Sequence, residues 1–403
     1  MTKPQHLKVR GPEDILGFIP HTLGYWPASS LVAMTMQGRS LGATLRVDLP
    51  GSDVLADPAG FASSVCSYLQ ADRQATGTLL AVFTPQSRNA APCGYDGLLA
   101  LLRHVLGDAG MPVLEAWYVG DRFWRDALCQ DLSCCPLPGR PVQQIKDSAL
   151  NAEMVYLGSS VGAAPGELPG TALPVPEEYR GAVLAAEAEW SANLEPRRES
   201  RSQFRAVLRT WLEVLSRPGG LPVRPVAQRD AFLRATLLVP AWRDAVLVMA
   251  AAGTEAAEAG AERFGLFSQG EGADAVEPGS GAGAESIDDW LGAGSDPPGY
   301  GEVLLGLEPA VPHWGRMEAL DALLEQLAAL GGPAAAASLT GRGWIAWCRG
   351  RGSYAAAYFK QSLEIVPGYR LAGLLLEMAG RGTLCGWAGR QEAAWRKFGP
   401  DAA

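Results

Sequence analysis

The sequence has no apolar run long enough to cross a bilayer. About 20 residues are needed, and the best stretch is the short one at 245–252. A signal-peptide pattern is also missing, because Lys3, Lys8, Arg10, Glu13 and Asp14 interrupt the first 17 residues. No membrane association and a cytoplasmic location are therefore expected. There is no disulfide framework: seven cysteines, an odd count in 403 residues, read as reduced thiols. Nor is there a surplus of positive charge. The 34 Lys and Arg against 43 Asp and Glu give a net charge of −9, which argues against a general nucleic-acid binder. Catalytic signatures are lacking too. No GxxxxGK phosphate loop, GxGxxG turn or HExxH pair occurs. The four histidines, His6, His21, His104 and His313, are far apart in the chain.

What remains is a chain with 48% hydrophobic residues, long enough for two or three folding units. Residues 1–160 read as an α/β domain. Segments 31–36 and 41–49 are strand-like, and Gln37-Gly38-Arg39-Ser40 joins them as a hairpin. An amphipathic helix at 58–70, a strand at 78–84, a helix at 94–106 and a strand at 113–119 follow. The order ββαβαβ predicts a mixed sheet, with the last three strands pairing in parallel. Beyond residue 160 the pattern is all-helical. Residues 177–252 form a helical region in which Pro240 must break or kink a helix. Residues 253–301 hold ten acidic residues against the single Arg263, and this low-complexity stretch reads as a flexible acidic linker. Four short helices complete a hairpin domain at 302–396. There Ala355, Phe359, Leu363 and Pro367, with Gly343 and Trp347, stand near the offsets of a tetratricopeptide-like hairpin.

Parallel strands bind ligands at their carboxyl ends, which singles out three places. Period-two alternation puts Arg46 and Asp48 on one face of the second strand, either to hold a ligand or to neutralise each other. Asp121 and Arg122 follow the fourth strand. Cys129, Cys134 and Cys135, spaced CxxxxCCP, come just after it, and Cys93 follows the third strand. Such thiols are incidental, or ligate a metal such as zinc or an iron–sulfur cluster, or form a redox pair of Cys129 with Cys134 or Cys135. Among the histidines, His21 stands out because it sits among turn formers.

The block Ile19-Pro20-His21-Thr22-Leu23-Gly24-Tyr25-Trp26-Pro27, then Ser30-Leu31-Val32 and Leu45-Arg46-Val47-Asp48-Leu49-Pro50, resembles an actinobacterial domain of unknown function catalogued under the number 4192. Cys129, Cys134-Cys135-Pro136, Gly139, Ala152-Glu153-Met154-Val155, Arg243-Asp244, residues 344–349, Pro367, Tyr369 and Leu371-Ala372 are similar to its later blocks. The resemblance implies a cytoplasmic bacterial protein and brings no activity with it. It marks Arg46, Asp48 and the three clustered cysteines as family features; Cys93 matches no block.

Two functions are compatible with these patterns. The first is an interaction or scaffold protein that docks a protein partner through its helical C-terminal region, the reading favoured by the lack of a catalytic constellation. The alternative is an enzyme or a small-ligand or metal-binding protein, with a pocket at the sheet edge near Asp48, Arg122 and the cysteine loop.

Overall fold

The computed structural model describes residues 9–85, 94–129, 131–165, 174–216, 226–267, 274–278 and 297–396. The chain forms two compact units, Met1–Glu167 and Leu168–Ala403.

The first unit opens with helix α1 (Pro12–Leu23), where Pro12 starts the helix and Gly24, at φ +87°, ends it. The hairpin β1 (Ser30–Gln37) and β2 (Ser40–Asp48) follows, then α2 (Ser52–Ala56), α3 (Ala59–Leu69), β3 (Gly77–Phe83), α4 (Asp96–Asp108) and β4 (Val113–Val119). Two short strands, β5 (Phe123–Asp126) and β6 (Arg140–Pro141), and helices α5 (Gln143–Lys146) and α6 (Ala149–Tyr156) complete it. The six strands form one mixed sheet in the order β2-β1-β3-β4-β5-β6.

Of the three strands expected to pair in parallel, only β3 and β4 do so. Strand β1 lies between β2 and β3, antiparallel to both. Burial explains this. The strand β1 is apolar enough to be covered on both faces, whereas β2 carries Thr44, Arg46 and Asp48 and takes the edge, where one side meets water. The carboxyl ends of β2, β3 and β4 still share one edge, because Asp48, Ser30, Phe83, Val119 and Trp124 are successive partners across the sheet.

Side-chain alternation builds a layer on each face. Leu31, Ala33, Leu80, Val82, Ala116 and Tyr118 pack against α3 and α4 through Val65, Leu69, Leu102 and Leu106. Val32, Met34, Ala81, Phe83 and Trp117 pack on the other face against Ile15, Leu16 and Ile19 of α1 and Ile145 of α5. The sequence pattern did not anticipate α1, whose Gly- and Pro-containing segment reads as turns.

The second unit is helical: α7 (Glu177–Leu194), α8 (Arg201–Leu215), α9 (Ala227–Leu237), α10 (Pro240–Ala252), α11 (Thr254–Arg263), α12 (Tyr300–Leu304), α13 (Trp314–Ala328), α14 (Gly332–Cys348), α15 (Gly352–Ile365) and α16 (Arg370–Gly380). Pro240 breaks α9 from α10 with a bend of 106°. The regions read separately at 177–252 and 302–396 share one core, in which Trp211 and Trp242 join Trp344 and Trp387. Gly343 lets α14 and α15 approach, since a Cβ there would lie 2.4 Å from the Phe359 ring.

The stretch expected to be a flexible linker from residue 253 is ordered at its start. Helix α11 buries Ala256, Ala257 and Ala261, because alanines at helical spacing make an apolar stripe despite the acidic residues between them. Val276 also exchanges two hydrogen bonds of 2.8 Å with the Gln203 side chain. The parts of this stretch at 268–273 and 279–296 lie outside the described residues. Among the described residues, no single helix is long and apolar enough to cross a membrane.

Candidate metal-thiolate site

The carboxyl edge of the sheet is polar, and on β2 Arg46 is paired with Asp48. Arg46 Nη2 lies 2.6 Å from Asp48 Oδ1, while Arg46 Nε donates to Ser30 Oγ at 2.8 Å. The arginine is largely buried and the carboxylate is exposed, so the pair fastens the edge strand to β1. Asp121 and Arg122 are exposed in the turn between β4 and β5, and the Arg122 guanidinium lies 5.7 Å from the Phe123 ring centroid.

His21 is not in a turn. It lies in the last turn of α1, buried, with Nε2 2.8 Å from Asn151 Oδ1 and Nδ1 2.9 Å from Ser159 Oγ. Asn151 Nδ2 donates to Lys146 O, which turns its oxygen toward the imidazole. A serine, a histidine and an amide in line are the parts of a nucleophilic site. Here, however, Ser159 is 3% exposed and His21 1%, so a substrate has no approach to the hydroxyl. The network joins α1 to α6. Gly17 adds to this contact, as a Cβ there would lie 2.9 Å from Ser148 Oγ.

The cysteine loop is elsewhere. Because β5 runs antiparallel to β4, it carries the chain back from the carboxyl edge, and the loop to β6 leaves from its far end. Asp48 lies on β2, four strand spacings from β5, or about 19 Å at about 4.8 Å each. The structure therefore does not bring Asp48 and the thiols onto a common rim. Cys93 lies outside the described residues.

Within the loop, two aspartates set the geometry. Asp126 Oδ1 accepts from the Leu128 and Cys129 amides at 2.7 and 3.1 Å. Asp131 Oδ1 accepts from the Ser133 amide and hydroxyl at 2.8 and 2.7 Å, and these bonds hold its carboxyl below the usual pKa. Buried Arg125 donates through Nη2 to Cys129 O at 3.1 Å, and the Cys135 amide donates to Asp131 O at 2.8 Å. The exit is fixed by Gly139, at φ +118°, where a Cβ would lie 2.5 Å from Trp124 O.

The result is convergence. The three sulfurs of Cys129, Cys134 and Cys135 all lie within 4.8 Å of one another, with Cys134 Sγ and Cys135 Sγ 3.9 Å apart. Zinc–sulfur bonds of about 2.3 Å at tetrahedral angles need sulfurs about 3.8 Å apart. Cys134 is exposed, and Cys129 and Cys135 are half-buried. Desolvation, with hydrogen bonding and repulsion from the neighbouring thiols, pushes the Cys135 thiol up to about 11. The sequence did not single out Asp126, Asp131 or Arg125. A signal was present in Asp126-Ala127-Leu128 and Asp131-Leu132-Ser133, where an aspartate precedes by two residues the amide it captures.

Comparison with protein families gives one match, described as Domain of unknown function (DUF4192), over residues 12–264. The chain belongs to this family. The DUF4192 match includes the first unit, its cysteine loop and the second unit through α11, and it stops before α12. The sequence blocks at 344–349, Pro367 and Tyr369 thus lie outside the matched region, although their helices complete the core of the second unit. No curated protein and no solved structure gives a significant match.

Proposed function

We propose that the first unit is a metal-binding module that takes zinc through Cys129, Cys134 and Cys135. The convergence of the three sulfurs in a loop braced by two aspartate turns carries this reading. Asp131 Oδ1 is committed to Ser133, so three thiolates fill three positions and the fourth is left to water or an exogenous donor, the pattern of an open site. The decisive experiment is metal analysis of the full chain purified without chelator. One equivalent of zinc is expected, with loss of that zinc in Cys134→Ser and Cys129→Ser. Absence of any thiophilic metal, both as purified and after zinc addition, would overturn the reading.

A second reading, favoured by α16, is that this cytoplasmic protein is an interaction scaffold whose helical C-terminal region docks a protein partner. Only Ala372 of α16 is buried, while Leu374 is 55% and the preceding Ile365 41% exposed. In a tetratricopeptide-like stack the last helix offers such a face to the next element, and the Gly343–Phe359 contact between α14 and α15 supports the likeness. Full-length protein and its Leu374→Glu variant, used as paired baits, test this. A partner retained equally by both rules out the α16 face.

A further inference from the structure

The turn Arg349-Gly350-Arg351 between α14 and α15 brings two guanidinium groups together, with Gly350 at φ +73°. Both lie against the ring of Trp395, at 5.1 Å for Arg349 and 5.2 Å for Arg351. Arg351 also lies 5.2 Å from the Tyr354 ring centroid. The acids nearby are already engaged. Asp321 accepts from Arg349 Nη1 at 2.8 Å and from Arg342 Nε at 2.9 Å, and Glu325 lies 3.0 Å from Arg342 Nη2. Arg342 and Arg349 thus occupy both carboxylates, and Arg351 has no ion pair among the described residues.

Arg349 is the sharper anomaly. Its side chain is 8% exposed, yet Nε and Nη2 have no hydrogen-bond partner. These are the two donors of one guanidinium edge, the edge that pairs side-on with two oxygens of a carboxylate or phosphate. Burying charged donors unpaired is unfavourable, and such groups in a folded protein call for an explanation. Desolvation lowers the pKa of Arg351, and the like charge of Arg349 adds to the effect, so an anion at this place would relieve both.

We propose that Arg349 and Arg351 form a binding site for a small-molecule oxyanion, a phosphate or a carboxylate, with Trp395 as its cover. The ligand displaces the half-buried indole, takes the Nε and Nη2 edge of Arg349 and accepts from Arg351. The site lies beyond the family match and is independent of the thiolate reading.

Titration calorimetry of the full chain with inorganic phosphate and, separately, with acetate at constant ionic strength tests the site, together with tryptophan emission. One-site saturation by at least one anion is expected, and the tighter of the two names the ligand class. Arg351→Gln, which breaks no ion pair, should weaken that binding at least about tenfold, the loss of one charge-assisted hydrogen bond. Arg349→Lys keeps the charge but removes the two-donor edge and should weaken it as well. Trp395→Phe should bind but lose the emission change. No saturable binding of either anion, an unchanged affinity in Arg351→Gln, or a persistent emission change in Trp395→Phe would each overturn the proposal.

Discussion

Cys134 and Cys135 are neighbours in the chain, and their sulfurs stand 3.9 Å apart, with Cys129 Sγ close to both. Adjacent side chains seldom point the same way in extended backbone. Here the turn closed by the Cys135 amide on Asp131 O gathers them. Desolvation, and then the neighbouring thiols, disfavour ionisation of Cys135, and a bound cation is the agent that reverses such a preference.

Alkylation should therefore be ordered. Cys134, exposed, reacts first at neutral pH, whereas buried Cys66, Cys348 and Cys385 stay unmodified until the chain unfolds. Burial also raises the pKa of Cys66 and Cys348, and a thiol that stays protonated is a poor nucleophile. Mass spectrometry of timed iodoacetamide reactions measures this. Added zinc should slow Cys129, Cys134 and Cys135 together; equal rates with and without zinc would count against the site.

The buried pair Arg234–Glu187, at 2.6 Å, should be critical for the second unit. Arg234 is fully buried and also donates to Leu327 O and to Gly331 O at 2.6 Å, which ties α7 and α9 to the end of α13. Glu187→Ala leaves a buried cation unpaired and should cost about 3–5 kcal/mol in urea unfolding. A loss under about 1 kcal/mol would show that the guanidinium finds other partners or water.

Gly260 is the contact point of α11 with Tyr300, whose hydroxyl donates to Ala257 O at 2.7 Å. A Cβ at this position would lie 2.0 Å from the Tyr300 ring. Although alanine is the better helix former, Gly260→Ala should destabilise the chain by about 1–3 kcal/mol through overpacking. Gly260→Ala combined with Tyr300→Leu should recover part of that loss in thermal unfolding.

His313, at the N-terminal end of α13, should titrate below its usual 6.5, because desolvation and then the charge of Arg316 disfavour the imidazolium. The unfolded chain then binds the proton more readily than the folded one. The stabilising contribution is fully present above pH 6.5 and is lost as pH falls through the folded midpoint. Proton NMR of the His313 ring gives that midpoint. A value at or above 6.5, or the same acid dependence of stability in His313→Asn, would contradict the assignment.

Much of the secondary structure was legible because each segment carries its own periodicity. The strands at 78–84 and 113–119 and the helices at 58–70 and 94–106 are found within a few residues of where the pattern put them. Pro240 broke its helix as its ring geometry requires. Helix α1 was missed because Pro20 and Gly24 imitate a turn, while its apolar face is matched only by a sheet built from later residues. Helix α11 was missed because its acidic residues dominate the composition and its buried alanines contribute little to it.

The sequence by itself determined most of the longer elements, the division into α/β and helical halves, and the family, since these depend on local spacing and on motifs held within single segments. Tertiary structure alone decided which groups meet. It inserted β1 between β2 and β3, turned β5 back from the carboxyl edge and so separated Asp48 from the thiols it seemed to accompany. It also gathered Cys129, Cys134 and Cys135, and placed Arg349 and Arg351 against Trp395. Strand order and loop direction depend on which faces bury the most apolar surface, and that sum is taken over the folded chain as a whole.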